Sequence, residues 1–297
     1  MRIRVAAVQY HLHGIDSFEA FAAQVEHYVK TAAEFAAEYV LFPEFFTTQL
    51  LSIPGVGDRG VSVEALAGFT GRYLELFTQI ARDAGMYIAA GTHVVRRDDR
   101  LMNVAHLFYP DGRVSEQPKL HITPTERDEW RISGGDAVHV FDTGKMKVAL
   151  LTCYDIEFPE IVRMAVGRGA DVVLCPSCTD DLHGFYRVRY CCHARCVENQ
   201  VYVVTSGTVG TLQAVDFMRA NTGQAAILAP NDVCFPPRGV IAEGELNHDM
   251  VVVGDLDLDL LREVRAKGSV TTWRDRRTDL YPDLGCGGAS AEGPGAF

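Results

Sequence analysis

Two apolar segments of the sequence each end near a residue that could take part directly in a reaction. The run at 40–42 leads through Pro43 to Glu44, and the run at 148–151 leads through Thr152 to Cys153. Ligands of open α/β sheets bind beyond the carboxyl ends of the strands, where side chains from several strands converge. A carboxylate and a thiol brought to that edge could carry out nucleophilic catalysis.

Glu44 has the surroundings of a general base. Loss of water around a carboxylate raises its pKa toward neutral pH, where it accepts a proton more readily. The aromatic residues that would exclude water from it are Phe42, Phe45 and Phe46. Cys153 needs such a base because a free thiol has a pKa of about 8.5 and only the thiolate attacks carbon.

Lys119 is the candidate for a fixed positive charge beside the thiol. A lysine there would favour the thiolate and the negative oxygen that forms when a carbonyl or nitrile carbon is attacked. A rival scheme pairs Cys153 with a histidine, His121 or His93, as in cysteine proteases. Taken one at a time, Glu44 is also typical of a helix start or surface, Cys153 of a core thiol and Lys119 of a solvated loop.

The elements that must position these residues follow an α/β pattern. Short β-branched runs alternate with amphipathic helical patterns, which is typical of sheets covered by helices. Strands are predicted at 3–9, 39–42, 86–90, 103–109, 148–151, 172–174, 201–205 and 250–256, and helices at 18–36, 64–84, 159–166 and 187–198. Asp16 and Glu19 are predicted to form a capping box for the first helix, and a hairpin is predicted around Thr143-Gly144-Lys145.

Composition narrows the class of protein. The net charge of -11 over 297 residues argues against a nucleic-acid partner, which requires clustered basic residues. No apolar run approaches the ~18 residues of a membrane span, and no secretory signal fits the first residues, so a cytoplasmic protein without a membrane partner is predicted. Residues 1–285 are predicted to form one domain, and the Gly- and Ala-rich segment 286–297 a flexible tail.

The eight cysteines raise the question of a zinc site or disulfides. Without a secretion signal disulfides are disfavoured, and a helix over 187–198 would point its cysteines in different directions, unlike the paired ligands of structural zinc. Neither a metal nor a cofactor is predicted. The residues that could otherwise form a zinc site are Cys175, Cys178, Cys191, Cys192, His193 and Cys196.

Six segments, in order along the chain, carry a resemblance to a known family. They are VAAVQ at 5–9, LFPE at 41–44, PKLH at 118–121, CYDIEFPE at 153–160, ARCVENQ at 194–200 and RTDLY at 277–281. With them the sequence resembles the nitrilase superfamily, or carbon–nitrogen hydrolases, over nearly its whole length. The resemblance implies a four-layer α-β-β-α sandwich and subunits that pair through outer helices into a homodimer or larger homo-oligomer.

The same resemblance implies roles for individual residues. Glu44 would be the general base, Lys119 the stabiliser of the tetrahedral intermediate and Cys153 the nucleophile, and the backbone N–H of Tyr154 would complete the oxyanion hole. The family also has a second glutamate shortly after the lysine. Glu126 and Glu129 compete for that role here, and Glu126 is favoured because the segment 123–125 would turn the loop back early.

The predicted function is hydrolysis of a non-peptide C–N bond in an amide, ω-amide or N-carbamoyl compound through a thioester on cysteine. Nitrile hydrolysis by the same residues and a non-catalytic binding role are the alternatives. The pocket is predicted to involve Phe45, Thr179, Asp180 and Tyr186. The acidic residues in these loops either indicate a basic substrate or are simply charges solvated by water. Glu157, where many relatives carry Arg, is predicted to reach outward.

Overall fold

The computed structural model describes residues 1–56 and 62–280. The strands in these ranges are β1 (Arg2–Leu12), β2 (Tyr39–Leu41), β3 (Tyr87–Arg97), β4 (Arg100–Phe108), β5 (Val114–Pro118), β6 (Phe141–Asp142), β7 (Lys147–Leu150), β8 (Val172–Ser177), β9 (Tyr202–Gly210), β10 (Ala226–Leu228), β11 (Val240–Glu243) and β12 (Met250–Asp257). The helices are α1 (Phe18–Glu34), α2 (Thr70–Ala84), α3 (Pro124–Asp128), α4 (Pro159–Gly167), α5 (Leu182–Asn199) and α6 (Leu258–Lys267).

Hydrogen bonds connect the strands in the order β5-β4-β3-β2-β1-β9-β8-β7-β6, with β12 beside β1 and β10 between β9 and β11. The six neighbours from β3 to β7 are parallel. Strand β5 runs in the same direction as β3 because β4 is antiparallel to both. The carboxyl ends of β2, β5, β7 and β8 therefore lie at the same edge, as the sequence argument required.

Alternating burial sorts the strands into layers. In β2, Val40 packs in a core with α1 and α2, whereas the next residue, Leu41, packs in a second core. In β7, Val148 shares that second core, whereas Ala149 packs in a third core with α4 and α5. Successive strand side chains point to opposite faces, so the second core lies between two layers of strands. The predicted α-β-β-α sandwich is confirmed.

Several element boundaries differ from the prediction. The pattern at 64–84 contains two helices, a 3-10 helix at Val63–Phe69 and then α2, because Gly68 and Gly71 weaken helix formation at the junction. Helix α1 is capped by Ser17, whose Oγ accepts from the N–H of Ala20 at 3.3 Å. The capping box predicted with Asp16 was therefore wrong.

Helix α5 begins at Leu182, five residues before the predicted start. Asp181 caps it, since its Oδ1 accepts from the N–H of Gly184 at 2.7 Å, and Asp is a favoured residue at this position. The boundary at residue 285 and the tail at 286–297 lie outside the described residues and stay predictions. None of the helices in the described ranges is long and apolar enough to cross a membrane.

The backbone beside Glu44 fits against a glycine of β3. Gly91 has φ +52°, and a Cβ at this position would lie 1.9 Å from the carbonyl oxygen of Pro43. The pairing of β3 with β4 shifts register between Ala89 and Thr92, on either side of this contact. The irregularity thus lets the segment before Glu44 approach the sheet closely.

Gly91→Ala is expected to lower the free energy of unfolding more than Gly85→Ala. Gly85 also has positive φ, +62°, but nothing lies within 4 Å of a Cβ added there. Its substitution by alanine therefore costs only the backbone strain, about 1–2 kcal/mol. Overpacking against Pro43 adds about 1–3 kcal/mol at Gly91. Denaturant unfolding of both variants measures the difference, and equal losses would contradict this account.

Candidate active site

The three predicted residues follow strands that end at one edge of the sheet. Glu44 follows β2, Lys119 follows β5 and Cys153 follows β7, and all three line one cavity of about 350 Å³. Cys178, directly after β8, lines it as well. The structure therefore brings together side chains that are far apart in the sequence.

Lys119 lies between two carboxylates. Its Nζ donates to Glu44 Oε1 at 2.8 Å and to Glu126 Oε2 at 2.6 Å, and its side chain is 1% exposed. Burial opposes the charge of the ammonium group, but the two carboxylates outweigh it and raise the pKa of Lys119 well above its ordinary value. The ammonium is thus a permanent positive charge in the cavity wall.

Glu126 is held by the start of helix α3. Its Oε2 also accepts from the N–H of Thr123 at 3.0 Å and from Thr123 Oγ1 at 2.8 Å, while Thr123 Oγ1 accepts from the N–H of Glu126 in return. This is a capping box. Glu129 ends the same helix and is exposed, so of the two candidates Glu126 is the one that meets Lys119.

Asn103 of β4 was not identified from the sequence. It is fully buried, and its Nδ2 donates to Glu44 Oε1 at 3.0 Å and to Glu126 Oε1 at 3.1 Å. Its backbone carbonyl accepts from the N–H of Lys119 at 2.8 Å. A polar residue between two apolar neighbours in a strand was the available signal, because a buried amide needs hydrogen-bond partners.

Cys153 begins a 3-10 helix, Cys153–Glu157, and has φ +46°. Phe45, directly after Glu44, has φ +54°. Positive φ at a residue other than glycine is strained and is concentrated at functional sites. The Cys153 Sγ lies 3.7 Å from the carbonyl oxygen of Cys178. The N–H of Tyr154 lies in the first turn, where amides have no acceptor within the helix.

Asp155 belongs to the motif at 153–160, and the sequence predicted no role for it. In the structure it connects two loops of the site. Its carboxylate is fully buried and accepts from the backbone N–H groups of Leu120 and His121 at 3.3 and 2.8 Å. It also accepts from the N–H of Thr152 at 3.3 Å. The lysine loop and the cysteine turn are therefore held together by one carboxylate.

The pKa values of the two glutamates move in opposite directions. Burial, with the charge of Glu126, raises the pKa of Glu44 to about 7 despite the nearby Lys119. Burial alone would raise the pKa of Glu126 as well. The charge of Lys119 and the hydrogen bonds from Lys119 and Thr123 outweigh burial, so the pKa of Glu126 is lowered. Burial and the charge of Glu44 raise the pKa of the Cys153 thiol well above its ordinary value. The site at neutral pH thus holds a neutral thiol, an ionised Glu126 and a Glu44 that titrates.

The outer wall of the cavity includes Phe45, Thr179 and Asp180, as predicted, together with Tyr154. Tyr186 was placed wrongly, since it is exposed and stacks with Tyr190 instead. Because α5 begins at Leu182, its face toward the cavity carries Gly184, Arg187 and Val188. Glu157 was expected to reach outward, but it lines the cavity and pairs with Arg187 at 3.4 Å.

The histidines of the rival scheme are engaged elsewhere. His121 Nδ1 lies 3.0 Å from Asp155 Oδ1, and its ring stacks on Phe158. His93 is fully buried, its Nδ1 lies 3.2 Å from Thr47 Oγ1, and burial lowers its pKa to about 3. Within residues 1–56 and 62–280, neither histidine lines the cavity that contains Cys153. In these ranges no three or more His, Cys, Asp and Glu residues are grouped so that they could hold a metal ion.

Glu126→Gln is expected to lower the free energy of unfolding by about 1.5–3 kcal/mol, the usual contribution of hydrogen bonds to a charged group. The matched control, Glu129→Gln, should change it by less than about 0.5 kcal/mol because the residue is exposed. Denaturant unfolding at neutral pH measures both. Similar values for the two variants would show that Glu126 is not an integral part of the buried cluster.

Known proteins with similar sequences are named as hydrolases, nitrilases or amidases. The probable hydrolase YhcX of Bacillus subtilis is 45% identical over 94% of this chain and 54% of its own length, so the chain spans about half of that relative. A nitrilase of Pyrococcus abyssi is 29% identical over 94% of this chain and 99% of its own. The omega-amidase NIT2 of Homo sapiens is 24% identical over 94% and 96%.

Solved structures show the same fold. Nit3 of Saccharomyces cerevisiae, a member of branch 10 of the nitrilase superfamily, superposes with a TM-score of 0.75 at 20% identity over 93% of this chain and 97% of its own. An amidase from Nesterenkonia superposes with a TM-score of 0.70 at 22% identity over 94% and 95%. A model of the carbon-nitrogen hydrolase family matches residues 4–266. This chain therefore belongs to the carbon–nitrogen hydrolases of the nitrilase superfamily.

Proposed function

We propose that this protein hydrolyses a non-peptide C–N bond of a small amide, ω-amide or N-carbamoyl compound through a thioester on Cys153. The observation that carries the proposal is the contact of Lys119 Nζ with both Glu44 and Glu126 in the wall of the cavity that contains Cys153. Two carboxylates whose pKa values are moved apart indicate different roles in proton transfer. Glu44 titrates near neutral pH and serves as the base.

The first half of the reaction forms the thioester. Glu44 accepts the thiol proton as Cys153 Sγ attacks the amide carbon, and the electron pair of the C=O bond moves to oxygen. The ammonium of Lys119 and the N–H of Tyr154 stabilise this oxyanion. When the C=O bond reforms, the C–N bond breaks, and the nitrogen takes the proton from Glu44 and leaves as ammonia or an amine.

The second half releases the acid. Glu44 accepts a proton from a water molecule that attacks the thioester carbon, and the same two donors stabilise the second oxyanion. Collapse breaks the C–S bond, and Cys153 recovers its proton from Glu44. Glu126 stays ionised throughout, because its lowered pKa keeps it a fixed partner that holds Lys119 in place.

The names of the relatives support this reaction class. They include a nitrilase and an omega-amidase. In a point mutant of an amidase from Nesterenkonia of the same fold, the acetamide moiety of fluoroacetamide adds covalently to the active-site cysteine. The nitrilase relative makes nitrile hydrolysis by the same residues the second candidate function.

A cytoplasmic location stays a prediction of the sequence.

We also expect copies of the chain to pair. An exposed apolar stripe lies along α5, where residues four or seven apart share one face of the helix. The stripe consists of Leu182, Tyr186, Tyr190 and Val197.

Ammonia release from a panel of amides, N-carbamoyl compounds and nitriles tests the function. At least one amide or carbamoyl compound should be hydrolysed, with Cys153→Ala as the blank. Lys119→Met should lower kcat by about 100-fold or more, because it removes a donor to the oxyanion. Near-wild-type kcat in Lys119→Met would contradict its role, and release from nitriles alone would favour the second candidate. No release at all, with no selective alkylation of Cys153, would favour a binding protein.

The pH dependence of Cys153 alkylation by iodoacetamide tests the base. The rate should fall as the pH drops through about 7, because Glu44 is protonated below its raised pKa and then cannot accept the thiol proton. Glu44→Gln should abolish this acid limb and leave only the thiol's own titration at high pH. Mass spectrometry of the Cys153 peptide gives the rate, with the exposed Cys234 as internal reference.

The control for the rival scheme is His121→Ala, which should keep the acid limb. An acid limb that survives in Glu44→Gln but disappears in His121→Ala would assign activation of Cys153 to the histidine.

A further inference from the structure

Asn103 has an unusual set of contacts for a buried amide. Its Nδ2 donates to one oxygen of each glutamate, Glu44 Oε1 and Glu126 Oε1. Its Oδ1 is buried and accepts no hydrogen bond from any residue in the described part of the chain. The orientation of the amide follows from its surroundings, because an oxygen in place of Nδ2 would face two carboxylates.

Packing alone does not account for an asparagine at this position. The neighbouring residues of β4, Met102 and Val104, are apolar and buried, and a buried polar side chain with an unpaired acceptor costs stability unless its other contacts matter. The hydrogen bonds that the side chain of Asn103 does make are both to the two carboxylates. Its benefit therefore lies in how it holds Glu44 and Glu126.

The two oxygens of Glu44 have different surroundings. Oε1 accepts from both Asn103 and Lys119, whereas Oε2 accepts from the backbone N–H of Cys178 at 3.2 Å. Cys178 also supplies the carbonyl oxygen that lies 3.7 Å from Cys153 Sγ. Among the described residues Oε1 thus accepts two hydrogen bonds and Oε2 one, so Oε2 is the oxygen with capacity left for proton exchange.

We propose that Asn103 is a positioning residue that fixes Glu44 through Oε1, so that Oε2 exchanges the proton of Cys153, and that ties Glu44 and Glu126 into one hydrogen-bonded cluster. This inference rests on the proposed function, in which Glu44 is the base. The side chain of Asn103 acts through Glu44, since it does not line the cavity that contains the thiol.

Loss of the Asn103 side-chain amide should change the pKa of Glu44 in one definite direction. A hydrogen bond donated to an ionised carboxylate favours the ionised form. Removal of the Asn103 amide must therefore raise the pKa of Glu44, and the acid limb of Cys153 alkylation must move to higher pH. The backbone bond from Asn103 to the N–H of Lys119 is unaffected by a side-chain substitution, so the lysine loop keeps its anchor.

The experiment measures the pH dependence of Cys153 alkylation by iodoacetamide in wild type and Asn103→Leu. Leucine has a similar size and no donor. The midpoint of the acid limb should rise by about one pH unit, with a rate about tenfold lower below both midpoints, and the rate should recover on the plateau at higher pH. Met102→Leu is the matched control, because residue 102 lies on the opposite face of β4, and its midpoint should equal that of wild type.

Asn103→Asp provides the same test if the leucine variant does not fold. It keeps the shape of the side chain but places a third carboxyl group against the other two, so the acid limb must again move to higher pH. A uniform loss of rate at every pH, with an unmoved midpoint, would indicate a merely structural role and overturn the proposal.

The function of the site and the role of Asn103 are tested separately by these measurements. If wild type lacks an acid limb that depends on Glu44, the proposed function fails. If wild type has that limb and neither Asn103 variant moves it, the function stands and only the role of Asn103 is wrong.

Discussion

The site depends on a lysine ammonium that is buried between two carboxylates. Burial of an isolated charge is so unfavourable that it must be paired and hydrogen-bonded, and Lys119 satisfies this requirement with Glu44 and Glu126. The two carboxylates are not equivalent, because Thr123 donates only to Glu126. One glutamate is thereby kept ionised, and the other has a pKa of about 7 and can exchange protons.

The fold supplies the geometry that this pairing requires. Parallel strands end at one edge and deliver the three residues from separate loops. The loops are then held by contacts that are independent of the reacting groups. Asp155 joins the lysine loop to the cysteine turn, and Gly91 allows the segment before Glu44 to approach β3. The positive φ angles of Phe45 and Cys153 indicate that this framework imposes conformations that the residues would not adopt alone.

Much of this arrangement could be predicted from local sequence. The alternation of β-branched runs with amphipathic helical patterns predicted an α/β fold, and the resemblance carried by the short motifs around Glu44, Lys119 and Cys153 implied the four layers and the loops that meet. Asn103 was missed because its partners lie 59 and 23 residues away and nothing in its own strand reveals them. Tyr186 was misplaced because the start of α5 was set too late, which hid the helical face that looks into the cavity.

The different titration of the two glutamates is the central claim, and carbon-13 NMR of side-chain carboxyl groups tests it directly. Protein labelled at glutamate would be titrated, with Glu44→Gln and Glu126→Gln used to assign the two signals. Glu44 should titrate near pH 7, and Glu126 should stay ionised at pH values below 4.5, the ordinary pKa of a glutamate. Two carboxyls that both titrate near that ordinary value, or a Glu126 that titrates near 7, would contradict it.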